Sequence, residues 1–329
     1  MKQSAFVERH GSEWETFEAW LDRRDRLLRA HATAPPEGAL PDAAVPERYR
    51  RLCQHLALAR DRQYSPDLVD RLNALALRGH HLLYGASGGR RQRGLEFVRR
   101  GFPRLVREEA RFVYAAAALF FGPFLAMAAV LQYFPDFAYY VLEPEQIASF
   151  NAMYDPASRR LGARGSDTDF AMFGFYVWNN VRIGFQTFAG GLAFGVGTVY
   201  YLAANGVIIG SVAGYLTQTG LAVPFYSFTS GHSPLELMAI VISGAAGLKL
   251  GSALYAPGAR SRKSALIATA GTSVRLMWGA AGMFFLAAIV EGFWSPLTTV
   301  PLSAKLALAL VLWAVVIGYL VVGGRGHAD

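Results

Sequence analysis

At 329 residues, 53% hydrophobic and 17% charged, the chain is too apolar and too charge-poor for a pair of ordinary soluble domains. The net charge of +8 is unevenly placed: residues 1–111 hold 21 of the 32 Lys and Arg and 15 of the 24 Asp and Glu, leaving the rest nearly uncharged. The pattern predicts an all-α protein, a polytopic membrane bundle of about six spans behind an N-terminal soluble helical domain, and excludes a purely soluble enzyme.

The single cysteine, Cys53, excludes an intrachain disulfide and suits a reducing compartment. The first 30 residues are charged throughout with no apolar core, so no cleavable signal is expected and the head stays where it is made.

Residues 1–89 read as a cytoplasmic helical head. Val7, His10, Trp14, Phe17 and Leu21 recur at helical spacing and predict one amphipathic helix, which the four prolines between 33 and 46 must break. A second helix is expected from Glu47, with Tyr49, Leu52, Cys53 and Leu56 on one side. A third is expected from Ser65-Pro66-Asp67, with Leu68, Leu72, Leu75 and Ala76 as its apolar stripe. Three such helices make a small bundle.

Residues 90–111 carry eight arginines against Glu96, Glu108 and Glu109, interleaved with Leu95, Val98, Phe102, Leu105 and Val106. Because this stretch runs into an apolar segment, it reads as a basic amphipathic interfacial helix at a lipid bilayer, and nucleic acid is not an expected partner.

Residues 112–323 read as the transmembrane bundle, with apolar segments at 112–134, 183–204, 206–222, 237–255, 274–291 and 304–323. The extracytoplasmic loop 135–181 has six acids against three arginines, whereas the 256–263 connection carries Arg260, Arg262 and Lys263 and the 324–329 tail carries Arg325. The charge asymmetry predicts a multi-pass protein of the cytoplasmic (inner) membrane with both termini cytoplasmic, provided that Asn205-Gly206 is a cytoplasmic turn. Gly191 and Gly195, then Gly206, Gly210 and Gly214, then Ser243, Gly247 and Gly251, all lie four apart and predict stripes where helix backbones approach. A stripe left exposed would give a homodimer.

Polar residues gather at three places. Asn179, Arg182 and Gln186 share one helical face, with Asn180 beside them, and offer either a binding face or an interfacial anchor. His232 and Glu236 are four apart. A catalytic zinc site needs three protein ligands and the H-E-x-x-H spacing is absent, so no metal and no cofactor are expected; Ser233-Pro234-Leu235-Glu236 also reads as a capping box. Glu291 ends an apolar segment where a carboxylate faces the negative end of the helix dipole, so it needs a partner, expected to be Arg182 or His232. Lys249 is expected to snorkel to water. No catalytic set is present in the apolar segments, and no enzymatic activity is expected.

Together, Asn179-Asn180-x-Arg182, Gly195-x-Gly197-Thr198, Asn205-Gly206, His232-x-x-x-Glu236 and Ile289-Val290-Glu291-Gly292-Phe293 resemble the stage II sporulation protein M family of bacterial and archaeal membrane proteins. The opening Met1-Lys2-Gln3-Ser4-Ala5-Phe6-Val7, with Trp14 and Phe17, resembles its longer members. The resemblance implies a membrane scaffold; the namesake brings peptidoglycan-degrading partners to the division septum. For longer members it implies an RDD-type membrane protein and a MoxR-type ATPase as neighbours. A permease-like transport subunit is the second expectation.

Overall fold

The computed structural model describes residues 2–30, 44–84, 89–156 and 166–325, which are helical throughout their regular structure. Two compact units emerge, residues 1–94 and 95–329.

In the first unit α1 (Gln3–Ala30), α2 (Val45–Asp61) and α3 (Pro66–Tyr84) form the expected three-helix head. Its core is Phe6, Trp14, Phe17, Leu21, Leu52, Leu56, Leu72 and Leu75. Phe6 takes the place expected of Val7, which is exposed. Pro46 lies in the first turn of α2, where its missing N–H costs nothing. The other prolines of the 33–46 stretch lie outside the described residues.

Trp14 Nε1 donates to His55 Nδ1 at 3.1 Å, and the His10 ring lies 4.1 Å from that of His55. Burial, followed by repulsion from His10, holds His55 below its ordinary value of 6.5; Glu13 opposes this and Arg51 adds to it. The neutral ring therefore favours the folded head. As pH falls below 6.5 the unfolded chain takes up a proton that the folded head refuses, and stability is lost down through the folded value. Tryptophan fluorescence during unfolding at stepped pH should show the head weakening below about 6.5, and His55→Gln should flatten that slope.

The chain passes from the first unit into the second along α4 (Gly89–Glu96) and continues through a wide turn at Phe97–Gly101 and α5 (Phe102–Glu108). Phe102, Leu105 and Val106 enter the core of the bundle, so the apolar side of the basic segment is taken up by protein, while Leu95 and Val98 stay exposed. Next come α6 (Ala110–Tyr133), α7 (Ala138–Val141), α8 (Pro144–Tyr154) and α9 (Ser166–Ala189). The chain continues through α10 (Val196–Gln218), α11 (Ala222–Thr229), α12 (Ser233–Tyr255), α13 (Arg262–Ile289) and α14 (Leu302–Val322).

Among the described residues five helices are long and apolar enough to cross a membrane: α6, α10, α12, α14, and α13 with its continuation to Trp294. The expected pair of spans at 183–204 and 206–222 is not formed. α10 runs unbroken through Asn205-Gly206, and the Asn205 amide donates to Tyr201 O one turn back. The reversal falls earlier, at 190–195, where Gly195 opens α10 at φ +83°, a conformation that favours glycine. α9, a sixth long rod beside these five, starts at Ser166, and the described residues of 135–181 are mostly helical.

α12 is the hub, in contact with α6, α9, α10, α13 and α14. Beside α9 it is approached backbone to backbone: a Cβ on Gly191 would stand 2.2 Å from Gly247 O. Lys249 does not snorkel; its Nζ donates to Glu109 Oε1 at 2.6 Å, at the kink joining α5 to α6. Arg107 donates to Leu320 O at the same end.

Candidate functional site

The polar site lies at the other end of α12. Glu236 and Lys249 are thirteen positions apart, a rise of about 20 Å against the roughly 30 Å of a hydrocarbon core, so the two polar levels lie toward opposite ends of α12 with an apolar layer between them.

His232 stands at the turn between α11 and α12, 4% exposed. The expected capping box is not formed: Ser233 Oγ donates to Thr229 O at 2.6 Å and makes no side-chain cap. The Glu236 carboxylate is thereby left to face His232, with Oε2 3.7 Å from the imidazole Nε2. On its other edge His232 Nδ1 shares a 3.0 Å hydrogen bond with Ser295 Oγ.

Glu291 reaches the same place from α13, whose last turn widens over Val290–Trp294 with Ser295 N bonded to Val290 O at 2.8 Å. Such an extra residue in a helix turns a side chain out of its regular register and recurs at functional sites. His232, Glu236 and Glu291 each bring one nitrogen or oxygen to a common point, all within 4.8 Å of one another. Asn180 Nδ2 donates to Glu291 Oε2 at 3.3 Å, and Asn179 Nδ2 to Asn180 Oδ1 at 3.3 Å.

Of the polar knot in α9, then, Asn180 is the residue that enters. It is 2% exposed and belongs to a buried stripe with Tyr176, Gly184, Thr187 and Gly191. Arg182 and Gln186 point the other way and are exposed. Arg182 stacks over Trp178 at 4.8 Å and does not pair with Glu291, so of the two expected partners only His232 lies beside that carboxylate.

Three neighbours had not been expected. Ser295 orients His232, and Lys305, 2% exposed on α14, donates from Nζ to Ser295 O at 2.8 Å. Tyr154, at the end of α8, is buried; burial pushes its phenol above the ordinary range, and the Glu291 carboxylate adds to this, then Tyr176 and Glu236. Lys305 was detectable as the single charge in a 21-residue apolar helix. Beside the cluster a recess of about 300 Å³ is lined by residues including Tyr154, Ser227, Phe228, Ser295, Thr298 and Lys305.

The arrangement supplies one imidazole and two carboxylates held by hydrogen-bonding neighbours, a set suited to binding a cation or a hydrogen-bonding group. A family model described as stage II sporulation protein M matches residues 112–296, which contain this cluster. Another, described as a domain of unknown function, matches residues 4–85. Neither the curated proteins nor the solved structures yield a match.

Proposed function

The chain belongs to the stage II sporulation protein M family, and from that premise we propose that it is a non-enzymatic scaffold or anchor for a cell-envelope complex. It lies in the cytoplasmic membrane with both termini cytoplasmic and the His232 end outward, α9 crossing beside the five apolar helices as a sixth span and the 190–195 reversal making the cytoplasmic turn that Asn205-Gly206 does not. Supporting this orientation, Arg260, Arg262, Lys263 and Arg325 fall toward the Lys249 end, and Asp136, Glu143, Glu145 and Asp155 toward the other.

The observation that carries the scaffold reading is where the buried polar groups meet. Asn180, His232, Glu236, Glu291, Ser295 and Lys305 converge at one end, beside an open recess that fits a partner's side chains. A transporter places its solute and ion sites near the midplane. Midway along α12 the space is taken by close packing, with the Leu202 side chain against Gly244 and the small buried hydroxyl of Ser243 beside it. Close rods hold a shape, which is what an anchor requires.

The partner binds in the outward recess, where an RDD-type membrane protein is the first to look for; a MoxR-type ATPase, which depends on cytoplasmic ATP, would engage the cytoplasmic side instead. Filling the recess with Ser227→Trp or Thr298→Trp should remove the envelope protein that co-purifies in mild detergent, while the variant chain itself stays monodisperse. Lost solute uptake with an intact assembly would instead favour the permease-like reading.

A further inference from the structure

We propose that His232, Glu236 and Glu291 bind a divalent transition-metal ion of the zinc or manganese class, clamping the start of α12 to the end of α13. The inference goes beyond the docking role and stands without it.

Three observations converge. The ligand set is one imidazole and two carboxylates, whose summed charge of −2 with neutral His a divalent ion cancels. Among the described residues no Lys or Arg forms an ion pair with either carboxylate, and no hydrogen bond joins the two. Lys305, at the same end of the bundle, is committed to the Ser295 carbonyl. Two half-buried carboxylates brought together without a counter-charge are costly, and a shared cation offsets that cost.

The second observation is His232 itself. It is 4% exposed, and its Nε2 faces Glu236 at 3.7 Å, beyond hydrogen-bond length, so this ring nitrogen turns into the cluster without a hydrogen-bond partner. The bond to Ser295 makes Nδ1 the protonated nitrogen when Ser295 Oγ accepts, which leaves Nε2 free to ligate. An imidazole whose far N–H is fixed by a neighbour is the usual form of a metal-bound histidine.

The third is spacing. Ligands about 2.0–2.2 Å from a zinc-class ion lie about 3.3–3.6 Å apart in a tetrahedron. The 3.7 Å between Nε2 and Oε2, and the 4.8 Å limit on the whole set, close to that geometry by side-chain rotation alone. Asn180 holds the outer edge of Glu291 as a neighbour of the ligand and not a ligand itself. A nitrogen donor disfavours magnesium and calcium, which take oxygen. The head contains another such group, His10, Glu13 and His55, but there Trp14 donates into His55 Nδ1, so the neutral ring's other nitrogen is a donor and not a ligand.

The test uses the full-length protein in mild detergent, stripped with chelator and then equilibrated with Zn²⁺, Mn²⁺, Co²⁺ or Mg²⁺. Elemental analysis after desalting should find about one transition ion per chain and no retained magnesium. Bound Co²⁺ should show visible d–d bands, and added Zn²⁺ should raise the unfolding temperature. Glu291→Gln and His232→Gln should lose the ion and the shift, and Asn180→Ala should weaken binding about 10- to 100-fold. If a glutamine variant fails to fold, the stoichiometry and the Co²⁺ spectrum of the unaltered chain still decide. The proposal is overturned if the unaltered chain retains none of these transition ions, or if folded Glu291→Gln retains as much as it does.

Discussion

Gly191→Leu should abolish the folded bundle, leaving aggregated protein in place of a monodisperse detergent peak. A Cβ at this position would stand 2.2 Å from Gly247 O, 2.8 Å from its carbonyl carbon and 2.9 Å from its Cα, all of them backbone atoms. No side chain can step aside, so α9 itself must withdraw from α12. Overpacking usually costs about 1–3 kcal/mol where neighbours can yield. Here the withdrawal also opens the Thr198 Oγ1 to Thr187 O bond of 2.7 Å, and in lipid no hydrophobic effect draws the helices back together. Gly191→Ala already introduces the offending atom and should fail as well, whereas Gly122→Leu, with nothing within 4 Å of its Cβ, should leave yield and unfolding temperature unchanged. Wild-type behaviour of Gly191→Leu would mean that the two backbones are not in contact.

That contact explains one error of sequence reading. Asn-Gly between apolar runs is a strong turn signal, and it placed a hairpin at Asn205-Gly206. The glycine is there for a different reason: a Cβ on Gly206 would lie 2.3 Å from Phe120 O, and one on Gly210 would lie 2.4 Å from Phe124 O, so α10 runs straight along α6. A residue missing its side chain reads alike whether it frees φ or admits a neighbouring backbone. The real reversal, at 190–195, was hidden because Gly190, Gly191, Gly195 and Gly197 lie in one run.

The apolar rods themselves were legible, since length and hydropathy alone set what can cross a hydrocarbon layer. The site was legible in its types and not in its facing. His232, Glu236, Glu291 and Asn180 stood out as polar residues in an apolar half, but Arg182 was grouped with them through the helical face it shares with Asn179 and Gln186, whereas Asn180, two positions before it, is the one that turns inward. Two residues along a helix is a rotation of about 200°, enough to send one side chain inward and the other out. Glu236 fitted a capping box by spacing, yet the Ser233 hydroxyl turns back to Thr229 and the carboxylate is released into the cluster. Tyr154 and Ser295 gave no signal, because a tyrosine after an amphipathic stretch and a serine before a proline are ordinary in connections.

The head offers a test confined to one unit. Trp14→Ala should unfold it, because Trp14 is 1% exposed and packs against Phe6, His10 and His55 while donating to His55 Nδ1. Removing so large a buried ring costs about 3–5 kcal/mol, against about 4–12 kcal/mol for a domain of this size. Trp14→Phe keeps most of the ring and loses the hydrogen bond, an intermediate cost of about 1–3 kcal/mol. It also frees His55 Nδ1 to take up a proton in the folded head, so the loss of stability on acidification, which starts below about 6.5 in either chain, should be smaller than in the unaltered chain. Hydrogen exchange on the full-length protein separates the cases: peptides from 3–84 should lose protection in Trp14→Ala, and peptides from α10 and α12 should keep it, because the two units have separate cores. Equal loss in both sets would mean that the head and the bundle unfold as one cooperative body.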